Sequence, residues 1–256
     1  YRPSNQTVFA ASSGTSHSTP AVAGVSSLYY YWMETAYDLT PSPALMKAYL
    51  IAHPTYLTGL DANDDLPSNT QGYGMPNLTL GLDDAKREMI DQTHRFDDTG
   101  ETWTYRGHVA DPGRPVRIVL AYTDEPGALG TSPEVNDLNL TVTADGSTYL
   151  GNHFSGQWSV SGGTADADNN YEAVFLPAGT KGWIEVTVTA FNIAGDGVPD
   201  TGDGTDQDFA LVAYNVSQEP LGVLTGIVYE DGGTPETNPI TGATVRAASE
   251  PTRTFT

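Results

Sequence analysis

A serine stands at the expected first turn of a long apolar helix, in the segment from Ser13 to Gly24. A residue in that position has a backbone N–H that the helix leaves unpaired, at the positive end of the helix macrodipole. Ser16 therefore combines a hydroxyl that can act as a nucleophile with an N–H that can stabilise a developing oxyanion. Gly14 allows close approach of a substrate, and Pro20 is tolerated because its missing N–H has no role so near the helix start.

Simpler roles for this segment have less support. An isolated serine ahead of an apolar helix is ordinarily a helix N-cap. The adjacent His17 is not expected to act as a general base for Ser16, because neighbouring helical side chains point about 100° apart. An α/β-hydrolase would need glycine two residues after the nucleophile, where this chain has Ser18. The remaining histidines are expected on the surface or in packing positions: His53, His94, His108 and His153.

The complete string resembles the nucleophile motif of the subtilisin-like serine proteases, the subtilases. The family's usual form is Gly-Thr-Ser-Met-Ala-x-Pro, followed by Ala-Gly. Here Gly14–Ser16, Thr19–Pro20 and Ala23–Gly24 match it, whereas His17 and Ser18 depart from it. These departures affect packing behind the nucleophile and leave the nucleophile itself in place.

Two further segments follow in family order. Ser42–Leu50 resembles the next helix of the family, and Gln71–Asn77 resembles its Gly-Tyr-Gly-x-x-Asn turn. The resemblance implies hydrolysis of peptide bonds in protein or peptide substrates through an acyl-enzyme at Ser16. In the subtilisin order the Asp and His of the triad precede the serine. Since the 15 residues before Ser16 contain neither, we expect the triad partners and the rest of the catalytic domain upstream, and the chain alone to be inactive.

Hydrophobic periodicity describes the elements that must position the serine. The residues from Ser16 to Tyr37 are apolar on nearly every face, which predicts a helix buried on all sides. A second helix is predicted from Pro43 to His53. From about residue 100 the period becomes two, which predicts strands at Trp103–Val109, Val116–Tyr122, Leu138–Val142, Ile184–Ala190 and Phe209–Val216.

These patterns predict three parts. Residues 1–95 are expected to be the C-terminal part of an α/β subtilisin-like catalytic domain. Residues 96–217 are expected to form an all-β antiparallel sandwich or jelly roll, because no helical pattern interrupts the strands. Residues 218–256 resemble a linker and the start of a carboxypeptidase regulatory-like β domain.

The second part also resembles the jelly-roll domain that follows the catalytic domain in some alkaline subtilases. In that family such a domain can hold structural calcium, and this implies calcium ligands at Asp137, Asp166 and Asp168. Hard oxygen ligands of this kind suit calcium. The alternative is that the three residues are ordinary turn residues, because Asp and Asn side chains often bond to nearby backbone groups.

Composition limits the partners. The chain has 32 acidic and 11 basic residues and a formal net charge of −21, so nucleic acid would be repelled. It has no cysteine, and no apolar run approaches the ~20 residues of a membrane span. The family resemblance implies an extracellular, secreted protein. Two further functions stay open. One is a calcium-stabilised sandwich that anchors the protein to a surface or a polymeric substrate through exposed aromatics such as Trp158, and the other is a pseudoprotease.

Overall fold

The computed structural model describes residue 5, residue 7 and residues 12–130 and 133–218. The helices within these residues are α1 (Thr15–Tyr37), α2 (Pro43–Ala52) and α3 (Leu78–Gly81). The strands are β1 (Pro54–Thr55), β2 (Met75–Pro76), β3 (Arg87–Phe96), β4 (Thr102–Val109), β5 (Val116–Ala121), β6 (Asp137–Ala144), β7 (Ser147–Leu150), β8 (Phe154–Ser155), β9 (Trp158–Ser159), β10 (Tyr171–Leu176), β11 (Trp183–Asn192), β12 (Gln207–Tyr214) and β13 (Val216–Ser217). None of the described helices has the length and apolar character needed to cross a bilayer.

Most of the strands form two antiparallel sheets of a β-sandwich. The strand order is β10-β5-β12-β3 in one sheet and β13-β4-β11-β6-β7 in the other. From β3 to β6 each successive strand belongs to the opposite sheet, so the chain crosses repeatedly over the core. The pairs β1-β2 and β8-β9 form separate two-stranded ladders.

The predicted sandwich is confirmed, because the period-two pattern places alternate side chains in one core. In β11 the residues Ile184, Val186 and Val188 are fully buried, and the residues between them are only partly buried. The five predicted strands agree with β4, β5, β6, β11 and β12 to within about two residues. The sandwich nevertheless begins earlier than residue 96, since β3 starts at Arg87 and pairs with β12 along its length.

A helical layer covers the outer face of the four-stranded sheet. Strands β5 and β12 are buried at every residue, because one face meets the other sheet and the opposite face meets α2. On that outer face Ala210 and Val212 share an apolar cluster with Leu45, Ala48 and Tyr49 of α2. The predicted second helix is therefore confirmed, and its apolar side packs against the sandwich.

Side chains from the sheet bind both ends of α2. At its start the Ser42 N–H donates to Asp91 Oδ2 of β3 at 2.8 Å. At its end Arg117 of β5 donates through Nη1 to the carbonyl oxygens of Ala52 and Pro54, at 2.9 Å each. Backbone groups that a helix terminus leaves unpaired are thus satisfied by strand residues.

His53 ends α2 inside this layer and is fully buried. Its ring lies 4.0 Å from the Tyr49 ring and 5.3 Å from the Tyr214 ring, and Nδ1 is 2.7 Å from the Tyr49 carbonyl oxygen. Nε2 is buried without a hydrogen-bond partner among the described residues. Burial lowers the pKa of His53 well below its usual value; the bond to Tyr49 opposes this shift, and the charges of Arg87 and Arg117 reinforce it.

Replacing His53 by phenylalanine is expected to reduce the loss of stability in acid. The folded protein holds His53 neutral, whereas the unfolded chain binds a proton below pH ~6.5. The stability contributed by neutral His53 is therefore present above that pH and lost below it, by up to ~1.4 kcal/mol per pH unit. Urea unfolding at pH 5, 6 and 7 measures the slope. An unchanged slope in H53F, with the variant folded at pH 7, contradicts this assignment.

Helix α1 is largely exposed among the described residues. Only Tyr29 and Met33 are buried among its 23 residues, and exposed apolar side chains include Leu28 and Tyr31. The Tyr29 hydroxyl donates to the Asn77 carbonyl oxygen at 2.9 Å and holds the helix near that point. The described residues supply packing partners mainly near Tyr29 and Met33. Burial on all sides would need the upstream neighbours that the sequence analysis expects, and it stays a prediction.

The α/β part of the predicted fold class is not seen. Within residues 12–130 and 133–218 the ladders of the sheets are all antiparallel. The described residues form one compact unit, and a separate catalytic domain before the sandwich stays a prediction. From residue 219 onward, the expected carboxypeptidase regulatory-like segment lies outside the described residues.

Candidate active site

Ser16 lies in the first turn of α1, as the sequence predicts. The helix begins at Thr15, and Gly14 before it has φ 135° and ψ 164°. That positive φ is a backbone conformation that glycine adopts readily and other residues rarely do. Gly14 makes no side-chain cap, so the start of the helix remains open, and Ser16 is exposed.

The backbone around Ser16 leaves its N–H available. The N–H groups of His17 and Ser18 both donate to the Gly14 carbonyl oxygen, at 3.0 and 3.3 Å. The helix has no partner for the Ser16 N–H, because the carbonyl groups that it would need lie before the first turn. Neither this N–H nor Ser16 Oγ has a hydrogen-bond partner among the described residues. A nucleophile and an oxyanion donor thus occupy one exposed residue.

His17 bonds elsewhere. Its Nε2 lies 2.7 Å from Ser12 Oγ, on the side of the chain that precedes the helix. This contact agrees with the expectation that adjacent helical side chains diverge. The geometry gives His17 no hydrogen bond to Ser16 Oγ.

The four remaining histidines have different surroundings. His53 packs near Tyr29, 13 positions beyond Ser16 and about 20 Å away along the helix axis. The His94 ring lies 4.8 Å from that of Phe96, and the His108 ring 4.2 Å from that of Trp183. His153 Nδ1 is 3.0 Å from the Val160 carbonyl oxygen. In the part of the chain that the structure describes, no histidine contacts Ser16 Oγ, so no base within it activates the hydroxyl.

The other two segments of the resemblance lie in the same helical layer. Ser42–Leu50 is the start and body of α2, and Gln71–Asn77 is the turn that precedes α3. Gly74 has φ 121°, and a Cβ there would overlap the Thr55 carbonyl oxygen, so the turn requires glycine. Asn77 Oδ1 accepts from the Leu80 N–H at 3.1 Å and caps α3. The motifs are thus linked through Tyr29 of α1, which bonds to Asn77.

The residues predicted to bind calcium are only partly brought together. Asp166 accepts hydrogen bonds from Asn152 Nδ2 at 2.6 Å, from Asn169 Nδ2 at 2.8 Å and from the Asp168 N–H at 2.9 Å. Asp168 is itself exposed. Burial raises the pKa of Asp137, and the negative charge of nearby Asp166 raises it further.

Glu172 completes this acidic cluster, although the sequence pattern does not predict it. It is 1% exposed, and its Oε2 accepts from the Leu140 N–H at 2.8 Å. The Asn139 amide, oriented with its nitrogen toward them, donates to Glu172 Oε1 and the Asp166 carbonyl oxygen at 3.3 Å each. A Cβ at Gly151 would overlap the carboxyl group. Position 172 opens a strand that pairs far along the chain, and no local pattern marks it.

Burial is the main cause of an unusual protonation state at Glu172. It raises the pKa of the carboxyl group to about 9; the Leu140 N–H opposes the shift, and the charges of Asp166 and Asp137 add to it. The cluster therefore holds a proton near neutral pH. Among the described residues, no three His, Cys, Asp or Glu side chains are arranged to hold a metal ion. Calcium at Asp137, Asp166 and Asp168 therefore stays a prediction from the sequence.

Comparisons with known proteins do not assign a family. No family model and no curated protein matches the chain. A crystal structure of a protein from Sulfurospirillum deleyianum is similar over 52% of this chain and 99% of its own, at 9% identity and a TM-score of 0.27. A likeness of that degree carries no argument about fold or function.

Proposed function

We propose that this chain carries the nucleophile of a subtilisin-like serine endopeptidase that acts on proteins or peptides. The observation that supports this is the exposed Ser16, whose N–H has no partner among the described residues, inside a string that resembles the family's nucleophile motif. Ser16 Oγ attacks the scissile carbonyl carbon while its proton passes to a base, and the base then gives that proton to the nitrogen of the leaving amine as the C–N bond breaks. Water then hydrolyses the acyl-enzyme. The Ser16 N–H donates to the oxyanion in both steps.

The acid and the base are expected from sequence upstream of residue 1, as the order of the resembled family implies. The described residues give Ser16 no histidine partner, and a serine hydroxyl without a base is a weak nucleophile. The chain alone is therefore expected to be inactive. We place the complete protein outside the cell, as the resemblance implies.

The sandwich is proposed to be a jelly-roll domain that supports the helical layer. If β3, β4, β5, β6, β7, β10, β11 and β12 are counted in order, the sheets read 6-3-8-1 and 2-7-4-5, apart from the added β13. Such an order supports the two-Greek-key topology of a jelly roll. The anchoring alternative has less support, because Trp158 is half-buried against the helical layer.

A fluorophosphonate probe tests the proposed nucleophile. It is applied to this chain, to the chain extended upstream by about one catalytic domain, and to the S16A form of each. We expect labelling of the extended protein alone, and none in S16A. The S18A variant is the matched control, because Ser18 lies in the same exposed turn, and it should be labelled like the wild type. Absence of labelling in a folded extended protein would contradict the proposal and favour a pseudoprotease.

A further inference from the structure

A surface pocket of about 510 Å³ lies where the helical layer meets the sandwich. Helix α2, the turn at residues 67–73 and the segment at 169–171 form its walls. The residues that line it include Lys47, Leu50, Ile51, Pro67, Asn169 and Tyr171. Its volume suits a small ligand or the end of a peptide, since such sites are typically ~300–1,000 Å³.

Lys47 is the charged residue of this pocket, and the other lining residues are apolar or uncharged. Its Nζ donates to Asn170 Oδ1 at 2.7 Å and lies 4.3 Å from the centroid of the Tyr171 ring. An ammonium group has three N–H donors, so Lys47 has donors left for a ligand. Burial lowers the pKa of Lys47, which reflects the cost of holding this cation partly out of water.

The chain has 32 acidic and 11 basic residues, and several of its described arginines pair with a carboxylate. Arg95, Arg106 and Arg114 each pair with an Asp or a Glu. Lys47 forms no such ion pair within residues 12–130 and 133–218. A partly buried cation is stabilised by an anion that hydrogen-bonds to it, and the pocket is open to one.

We propose that this pocket binds the C-terminus of a peptide that ends in an apolar residue. The terminal carboxylate accepts from Lys47 Nζ, and the last side chain packs against Leu50 and Ile51. A new C-terminus of this kind is one product of peptide-bond hydrolysis, but binding here does not involve Ser16.

Binding is measured on S16A protein, so that failure of the pocket and failure of the proposed chemistry remain distinguishable. The probes are a fluorescent acetylated tetrapeptide ending in leucine carboxylate and the same peptide with a C-terminal amide. Ionic strength is ~0.15 M, where charges beyond ~8 Å are largely screened. We expect the carboxylate peptide to bind about tenfold more tightly than the amide. K47M should lose that preference.

Two controls separate binding from folding. K181M removes an exposed lysine that does not line the pocket, and it should keep the full carboxylate preference. N69W places a large side chain at the pocket mouth from an exposed position, and it should weaken both peptides.

Three results would overturn the proposal. Equal affinity for the two peptides would remove the role of the carboxylate, and an unchanged preference in K47M would remove the role of Lys47. Binding of a neutral oligosaccharide, with no binding of either peptide, would assign the pocket to another class of ligand. Thermal unfolding of each variant shows that it is folded before binding is measured.

Discussion

In the proposed protease, extended upstream by its catalytic domain, the S16A variant is expected to lose peptide-hydrolysis activity by a factor on the order of 10⁶ in kcat. Without Oγ no acyl-enzyme forms, and the remaining N–H donor and substrate contacts give only a small residual rate. KM should change little, because the hydroxyl contributes to the transition state and not to substrate binding. Initial rates with a fluorogenic peptide, at concentrations on both sides of KM, measure the two constants separately.

The matched control for this experiment is S18A. Ser18 is exposed in the same turn, and its N–H already bonds to the Gly14 carbonyl oxygen. Its hydroxyl has no place in the proposed chemistry, so S18A should keep the wild-type kcat. Activity that survives in S16A would show that another residue is the nucleophile. Equal losses in S16A and S18A would point to damage of the helix start.

The E172Q variant is expected to remove a large part of the pH dependence of stability. The carboxyl group has its pKa raised from 4.5 to about 9 in the folded protein. Between these values the unfolded chain releases the proton and the folded protein keeps it. The stability contributed by protonated Glu172 is therefore complete below pH ~4.5 and is lost as pH rises toward 9, by up to ~1.4 kcal/mol per unit.

Glutamine keeps the shape of the protonated acid and can still accept from the Leu140 N–H. Relative to E172Q, the wild type should therefore lose up to ~4 kcal/mol of unfolding free energy between pH 5 and pH 8. Urea unfolding in EDTA measures this difference without interference from calcium. Parallel pH curves for the two proteins would show that Glu172 is ionised in the folded state. A calcium-dependent rise in Tm, present in the wild type and absent in E172Q, would support the sequence prediction of calcium.

Much of the sandwich could be predicted because its signal is local. The alternation in Ile184–Ala190 and in Leu138–Val142 reports directly which side chains enter the core. Helix α2 was equally predictable, since Pro43 and the apolar run after it mark its start and its buried side. The sequence does not predict that α2 covers the outer face of β5 and β12. A continuous apolar strand indicates that both of its faces are covered, but it does not identify the covering element.

The same difference between local and non-local signals explains which candidate site residues could be predicted. Ser16 was predicted because glycine, serine and proline at fixed spacing report a local geometry, and the structure places it at the helix start. Glu172 was not, because its environment is made largely by Leu140 and Asp137, which lie more than 30 positions before it and meet it only in the folded chain. The all-round burial of α1 stays a prediction, because an apolar helix shows that neighbours are needed and does not show where they lie.

The bonds from β3 and β5 to the two ends of α2 bear on how the protein opens. Asp91 and Arg117 are residues of strands joined in one sheet through β12, and they bind the first and last turns of the helix. Release of α2 alone would leave a carboxylate and a buried guanidinium without these partners, and such a loss is costly. Local fluctuations are therefore expected to spare α2, which belongs to the same cooperative unfolding unit as the sheet beneath it.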